Sequence, residues 1–189
     1  MNRKIHYNSP VILTFFFLSL CVLALGFVTK GWTTRNLFSV YRSPITPLWF
    51  VRLFGHVLGH SGYAHFSGNM VLLLVVGPPM EERYGSRALL AGILLTALIA
   101  GLLQCFLFPG HALLGASGIV FMLILLSSLA GMKAGSIPLT LILVAVIYLG
   151  QELRSALFVQ DNVAHFMHLV GGFCGTGFGF WVFQKRKTV

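Results

Sequence analysis

Ser117 stands in the run Gly115-Ala116-Ser117-Gly118 at the head of a long apolar stretch, and His168 stands near the start of a later one. A hydroxyl and an imidazole are costly to keep at membrane depth, so finding them in two apolar runs points to chemistry rather than packing. The chemistry open to that pair is nucleophilic attack by the serine oxygen with the imidazole as general base. On this reading the chain carries an intramembrane serine hydrolase.

Serine is common in membrane helices and usually bonds back to a carbonyl of the preceding turn, so residue type alone says little. Position says more. A helix beginning at Ser117 offers unpaired backbone N–H groups and a positive dipole end where an oxyanion would form. Gly115 and Gly118 permit a tight turn into that helix. Ser127 and Ser128, deeper in the same run, have no such setting and read as structural. In the last apolar run Gly171, Gly175 and Gly179 repeat every four residues, a smooth stripe that lets a neighbouring helix come close. His168 lies one turn before the stripe, and His165, one turn earlier still, is the competing base. The acids are Glu81, Glu82, Glu152 and Asp161, all near the ends of apolar runs, so a Ser-His dyad is expected rather than a triad. Asp161 precedes His165 by four residues and His168 by seven, which gives it at most a weak orienting role. Phe121, one turn into the serine helix, is placed to hold the imidazole by stacking.

Upstream, three histidines and an asparagine lead into another run: His56, His60, His65 and Asn69. His65 and Asn69 are four apart, which on a helix aims both at one point. His56 and His60 share that spacing and could form a metal pair, but the expected reading is that they sit hydrated at the headgroup boundary.

Elements able to position these groups follow from composition. The 189 residues are 57% hydrophobic and only 9% charged, with a mean hydropathy of +0.87, which describes an integral membrane protein. Apolar stretches fall at about 11–28, 65–80, 88–107, 117–132, 137–153 and 164–183, each near the length of a bilayer crossing. The expected fold is all-α, a six-span bundle forming a single domain over 1–189. A long connection, about 29–60, carries Trp32, Tyr41, Trp49 and Phe50 among basic residues, with Pro44 and Pro47 interrupting any helix through its middle, and is expected at the interface. Arg3 and Lys4 precede the first run and Ala24-Leu25-Gly26 loosely resembles a signal cleavage site, but the basic tail Lys185-Arg186-Lys187 matches the basic start, so a retained span is expected. Arg83, Arg87 and Lys133 join the tails on one side, while Lys30, Arg35, Arg42, Arg52 and Arg154 fall on the other. The loops decide little, and it is mainly the two basic tails that, by the positive-inside bias, put both termini in the cytoplasm, most naturally of a bacterial cell (inner) membrane. The formal charge of +9 is read as membrane-facing, with lipid rather than nucleic acid as its partner. Cys21, Cys105 and Cys174 lie inside apolar runs at no metal or disulfide spacing and read as packing residues.

Nearly the whole chain resembles the rhomboid intramembrane serine proteases. The residues that carry the resemblance are Gly115-Ala116-Ser117-Gly118, then His65 with Asn69 behind His56 and His60, the turn Glu81-Glu82-Arg83-Tyr84-Gly85-Ser86, and His168 with Gly171 and Gly175. The resemblance implies a six-helix bundle with the serine below the outer surface in a water-filled cavity, and hydrolysis of peptide bonds in or next to transmembrane segments of protein substrates. It implies Ser117 as nucleophile, His168 as base and later acid, and His65, Asn69 and the Ser117 N–H as the oxyanion site. It also implies a mobile gate at the fifth span and a cap at about 154–163. Two departures stand out. The family's Trp-Arg pair in the first loop is Val51-Arg52, which puts the anchoring of that loop in question, and the tyrosine that often stacks on the base is Phe121. No cofactor or metal is implied, and the oligomeric state is open. Two other classes compete: a non-catalytic rhomboid-like protein that binds transmembrane clients, and a metal-handling channel or transporter using His56, His60, His65 and His168. Intact Ser117 and His168 argue against the first, and the lack of charged cavity residues against the second.

Overall fold

A computed structural model describes residues 7–129, 136–144, 146–147, 150 and 162–187. The described residues are helical, apart from turns and one isolated β-bridge. In chain order the helices are α1 (Pro10–Val28), α2 (Trp32–Asn36), α3 (Pro47–Gly55), α4 (Tyr63–Tyr84), α5 (Ser86–Leu107), α6 (Ser117–Ser128), α7 (Leu139–Val144) and α8 (Asn162–Lys187). A 3-10 turn, His56–Leu58, follows α3. The expected loop at 154–163 falls almost wholly outside the described residues, as do most of 145–153, Lys133, Glu152, Arg154, Asp161 and the side chain of His165.

Two described helices, α1 and α5, are long and apolar enough to cross a bilayer. Their outer faces carry Phe17, Leu18, Phe27, Leu94 and Phe106, a surface that suits hydrocarbon rather than water. At the centre is α6, almost entirely buried: Ile119 through Leu126 all face protein. It ends at Ser128, short of the expected 132, where the hydroxyls of Ser127 and Ser128 bond back to the Ile124 carbonyl at 2.8 and 3.0 Å, as structural serines do. Only six residues of the fifth apolar stretch are described as α7.

Glycine decides which helices touch. A side chain on Gly171 would land on the backbone carbonyl of Gly118, and one on Gly175 on that of Met122. The step is four residues on both helices, so α6 and α8 run parallel in fixed register, backbone against backbone. On the other side Ile12 of α1 fills the space over Gly77 of α4.

Glu81 locks that second pair. Its carboxylate is 3% exposed and accepts the Val11 and Ile12 N–H groups at 2.9 and 3.0 Å, with the Ser86 hydroxyl at 2.7 Å. Ser9 at the α1 N-cap makes no side-chain capping bond, so a carboxylate from α4 does that work at the positive end of the helix. The first apolar run is therefore bound into the bundle. α4 itself continues through Pro78 and Pro79 to Tyr84, beyond the expected 80.

The connection between α1 and α4 is fastened by Arg52. Its Nε donates to the Asn36 carbonyl at 2.7 Å, Nη1 donates to the Ser43 hydroxyl at 3.4 Å, and the guanidinium lies over the Tyr41 ring at 4.5 Å. The loop is anchored although Val51, half exposed, stands where the resemblance leads one to expect tryptophan. Val40 and Leu113 exchange two backbone hydrogen bonds of 2.9 Å, which joins this connection to the segment that leads into Ser117.

Candidate active site

Ser117 is the first residue of α6, half-buried, and Ala116 in the capping place offers no side-chain acceptor. The N–H groups of the first turn are thus left for another acceptor, at the positive end of a buried helix. The turn before it is shaped by Gly115, whose φ of +124° disfavours any side chain. Its N–H donates to the His56 carbonyl at 2.9 Å. Gln104, fully buried in α5, donates to the carbonyls of Phe108 and His111 at 3.2 and 2.9 Å and so holds the approach to the same turn.

His65 and Asn69 meet at that turn. A methyl group on Gly115 would come within 2.8 Å of both Cε1 and Nε2 of His65 and within 3.9 Å of Nδ2 of Asn69. Both side chains therefore face the backbone two residues before Ser117, from one face of α4. Asn69 is buried, and its Nδ2 has no hydrogen-bond partner among the described residues. A buried donor without an acceptor costs about 1–3 kcal/mol, and a developing negative oxygen beside Ser117 would satisfy it. His65 is held from behind, its Nδ1 lying 3.1 Å from the Ser61 hydroxyl.

His168 comes in from α8. Its ring lies flat on Phe121, centroids 4.6 Å apart and planes 3° apart. Phe121 is four residues on from Ser117, so it shares a face of α6 with the serine. His168 is one turn before Gly171, which sits on Gly118, the neighbour of Ser117. The stack and the glycine contact bring the imidazole to the end of α6 where Ser117 stands. A hollow of about 10 Å3, room for about one water, touches Ser117, Gly115, Thr96 and His56.

The expectation for His56 and His60 is corrected. Both are buried, 1% and 2% exposed, rather than hydrated at a headgroup boundary. The connection carrying them folds inward, and their Nδ1 atoms find backbone carbonyls: Arg52 and Leu53 at 3.3 and 3.1 Å for His56, Leu58 at 3.1 Å for His60. Burial lowers each from the usual 6.5 to about 4, reinforced at His60 by the nearby His65. With values of about 4, both imidazoles are neutral at pH 7. Among the described residues no cluster of three or more His, Cys, Asp or Glu side chains could hold a metal, and Cys21, Cys105 and Cys174 are free thiols. The structural parts played by Glu81 and Gln104 are not among the sequence expectations; for Gln104 the signal is a lone amide inside the apolar run 88–107.

Comparison with known proteins adds a family. The family model for the Rhomboid domain matches residues 48–185. The chain is similar to "Rhomboid-related protein 2" of Mus musculus, 29% identical over 176 residues that cover 82% of this chain and 57% of the relative. It is similar to "Rhomboid protease GluP" of Bacillus subtilis, 34% identical over 127 residues, 65% of this chain and 24% of the relative. A third relative is "Rhomboid-related protein 1" of Caenorhabditis elegans, 28% identical over 141 residues, 69% of this chain and 39% of the relative. The chain spans a little over half the length of the mouse relative and less of the other two.

Proposed function

The chain belongs to the rhomboid family of integral membrane proteins, and on that premise we propose that it is an intramembrane serine endopeptidase that cuts peptide bonds in or next to transmembrane segments of protein substrates. The observation that carries this reading is the flat contact of His168 on Phe121, which sets an imidazole on the face of α6 that begins with Ser117.

In the proposed reaction Ser117 Oγ attacks the scissile carbonyl carbon while His168 takes its proton. The carbonyl oxygen becomes an oxyanion, received by the Ser117 N–H, Asn69 Nδ2 and the His65 ring. His168 returns the proton to the leaving amine, the C–N bond breaks, and Ser117 is left as an acyl ester. A water activated by His168 then attacks the ester, releasing the carboxylic acid and the free serine. Two groups suffice, because stacking supplies the orientation that a carboxylate gives in a triad. Helices in a bilayer conceal their backbone, so the substrate unwinds near the cut before attack. The bundle takes six spans as one domain with both termini cytoplasmic, in a bacterial inner membrane, with the fifth span as the gate.

Ser117→Ala in lipid vesicles is the test: cleavage of a panel of helical substrates should vanish while the protein still folds, and continued cleavage would remove the nucleophile assignment. Replacing His168 and His165 separately should abolish and preserve activity respectively. A second reading, a rhomboid that holds transmembrane clients without cutting them, keeps the same bundle and is consistent with relatives named only as rhomboid-related. Covalent labelling of Ser117 by a fluorophosphonate supports the enzyme; absence of labelling in folded protein supports the client binder.

A further inference from the structure

A cavity of about 410 Å3 lies between the end of α1, helix α2 and the turn His60-Ser61-Gly62, with Lys30 and Arg35 at its edge and Leu114 beside it. We propose that this cavity binds the headgroup of an anionic phospholipid that also bears hydroxyl groups, of which phosphatidylglycerol is the simplest, with its chains laid along α1.

Charge is the first reason. Lys30 and Arg35 are exposed, and the turn that presents them is fixed: Lys30 and Gly31 have φ of +51° and +85°, and the Gly31 N–H donates to the Gly26 carbonyl at 2.7 Å. Arg35 folds back so that Nε and Nη2 lie over Gly31, the residue that follows Lys30. The described acids, Glu81 and Glu82, sit at the other end of α4, roughly 28 Å from Gly62 at the rise of a helix. Among the described residues no carboxylate neutralises the pair, and two uncompensated cations attract an anionic headgroup directly.

The second reason is independent of charge. His60 lines the cavity, is 2% exposed, and its Nε2 has no hydrogen-bond partner among the described residues. Its Nδ1 lies against the Leu58 carbonyl and must carry the proton there, so in the neutral ring Nε2 is an acceptor. A buried acceptor wants a donor, which phosphate lacks and a glycerol hydroxyl supplies. Thr34, Ser39 and Ser61 add hydroxyls around the same space.

The third reason separates an amphiphile from a soluble ion. Leu23 and Phe27 wall the cavity on the α1 side, and Phe27, Val28 and Trp32 are exposed next to it. A cationic, hydroxyl-rich mouth joined to an apolar wall, with an exposed tryptophan next to Gly31 in the chain, suits a lipid at the level of its headgroup. Seating there would also steady the turn that orients His65, since Ser61 bonds His65 Nδ1 and the His60 ring meets the His65 ring edge-on, centroids 5.1 Å apart. This last step rests on the protease reading; the binding does not.

The test compares wild type, the double variant Lys30→Gln/Arg35→Gln, and a control of equal charge loss elsewhere, Arg42→Gln/Arg87→Gln. Each is purified from micelles holding equal phosphatidylglycerol and phosphatidylcholine, and retained lipid is counted by native mass spectrometry. Wild type and control should retain phosphatidylglycerol preferentially, and the double variant should lose that preference by about tenfold or more, the scale of two basic groups at a membrane surface. Equal loss in the control, or no preference in wild type, overturns the site. Ser117→Ala should retain lipid as wild type does, so a failed protease assignment leaves this result standing. In vesicles, added phosphatidylglycerol should stimulate cleavage by wild type and not by the double variant. If the double variant instead keeps its lipid and loses only cleavage of substrates with acidic flanks, the cavity serves substrate and the lipid proposal falls.

Discussion

The rings of Phe121 and His168 lie 4.6 Å apart and 3° from parallel, a contact that sets the imidazole of one helix flat against the side of α6 that begins with Ser117. A tyrosine is common at this place in the family, and the ring face, which phenylalanine keeps, is the part that matters for the stack.

Removing the ring face should slow catalysis without much change in substrate affinity. For Phe121→Leu we expect kcat to fall roughly threefold to tenfold, in line with the worth of an aromatic stack, with KM nearly constant. Phe121→Tyr should retain activity. Full activity in the leucine variant would show that the stack does not position the base.

The α6–α8 seam should not tolerate a methyl group. Gly171→Ala drives Cβ into the Gly118 carbonyl, so the helices must separate, at a cost of about 1–3 kcal/mol and with loss of most cleavage. Gly177, whose position is open, is the control: Gly177→Ala should leave both thermal stability and cleavage near wild type. Equal behaviour of the two variants would refute the close approach.

Glu81 should matter for stability and little for chemistry. Glu81→Gln keeps the shape but replaces one acceptor oxygen with an NH2 that cannot accept, so one of the bonds from the Val11 and Ile12 N–H groups is lost and the other loses its charge, and the protein should be destabilised by about 1–3 kcal/mol. Thermal unfolding in detergent reads this directly. An unchanged midpoint would mean that the start of α1 is held in another way.

Acid should destabilise the fold through His56 and His60. Their folded values are lowered to about 4, so between about 6.5 and about 4 the unfolded chain binds protons that the folded chain refuses. Stability is therefore full above about 6.5 and declines as the pH falls through that window, by up to about 1.4 kcal/mol per pH unit for each histidine. Unfolding midpoints measured from about pH 7.5 to about pH 5 should show the decline, and His60→Phe should flatten it by about half. A midpoint constant over that range would contradict two buried neutral imidazoles.

Much of the site was legible because helix periodicity carries geometry. His65 with Asn69, and Ser117 with Phe121, are pairs at i and i+4, and both pairs share a face as their spacing requires. The glycine stripe likewise announced a close neighbour. The fate of His56 and His60 was not legible, since the same i, i+4 spacing fits a wet interface, a metal pair or a buried structural role. What decided it was the path of the connection, pinned by Arg52 to the Asn36 carbonyl and the Ser43 hydroxyl, partners whose proximity no local rule gives.

By itself the sequence determined that the chain is helical and suited to a bilayer, and where most of the long helices begin. Those properties follow from composition and from periods of a few residues. Only the tertiary structure decided that Glu81 caps α1, that Gly115 faces His65 and Asn69, and that His168 lies on Phe121. Such contacts join residues far apart in the chain, and their energies depend on register and backbone approach, which a linear pattern does not encode.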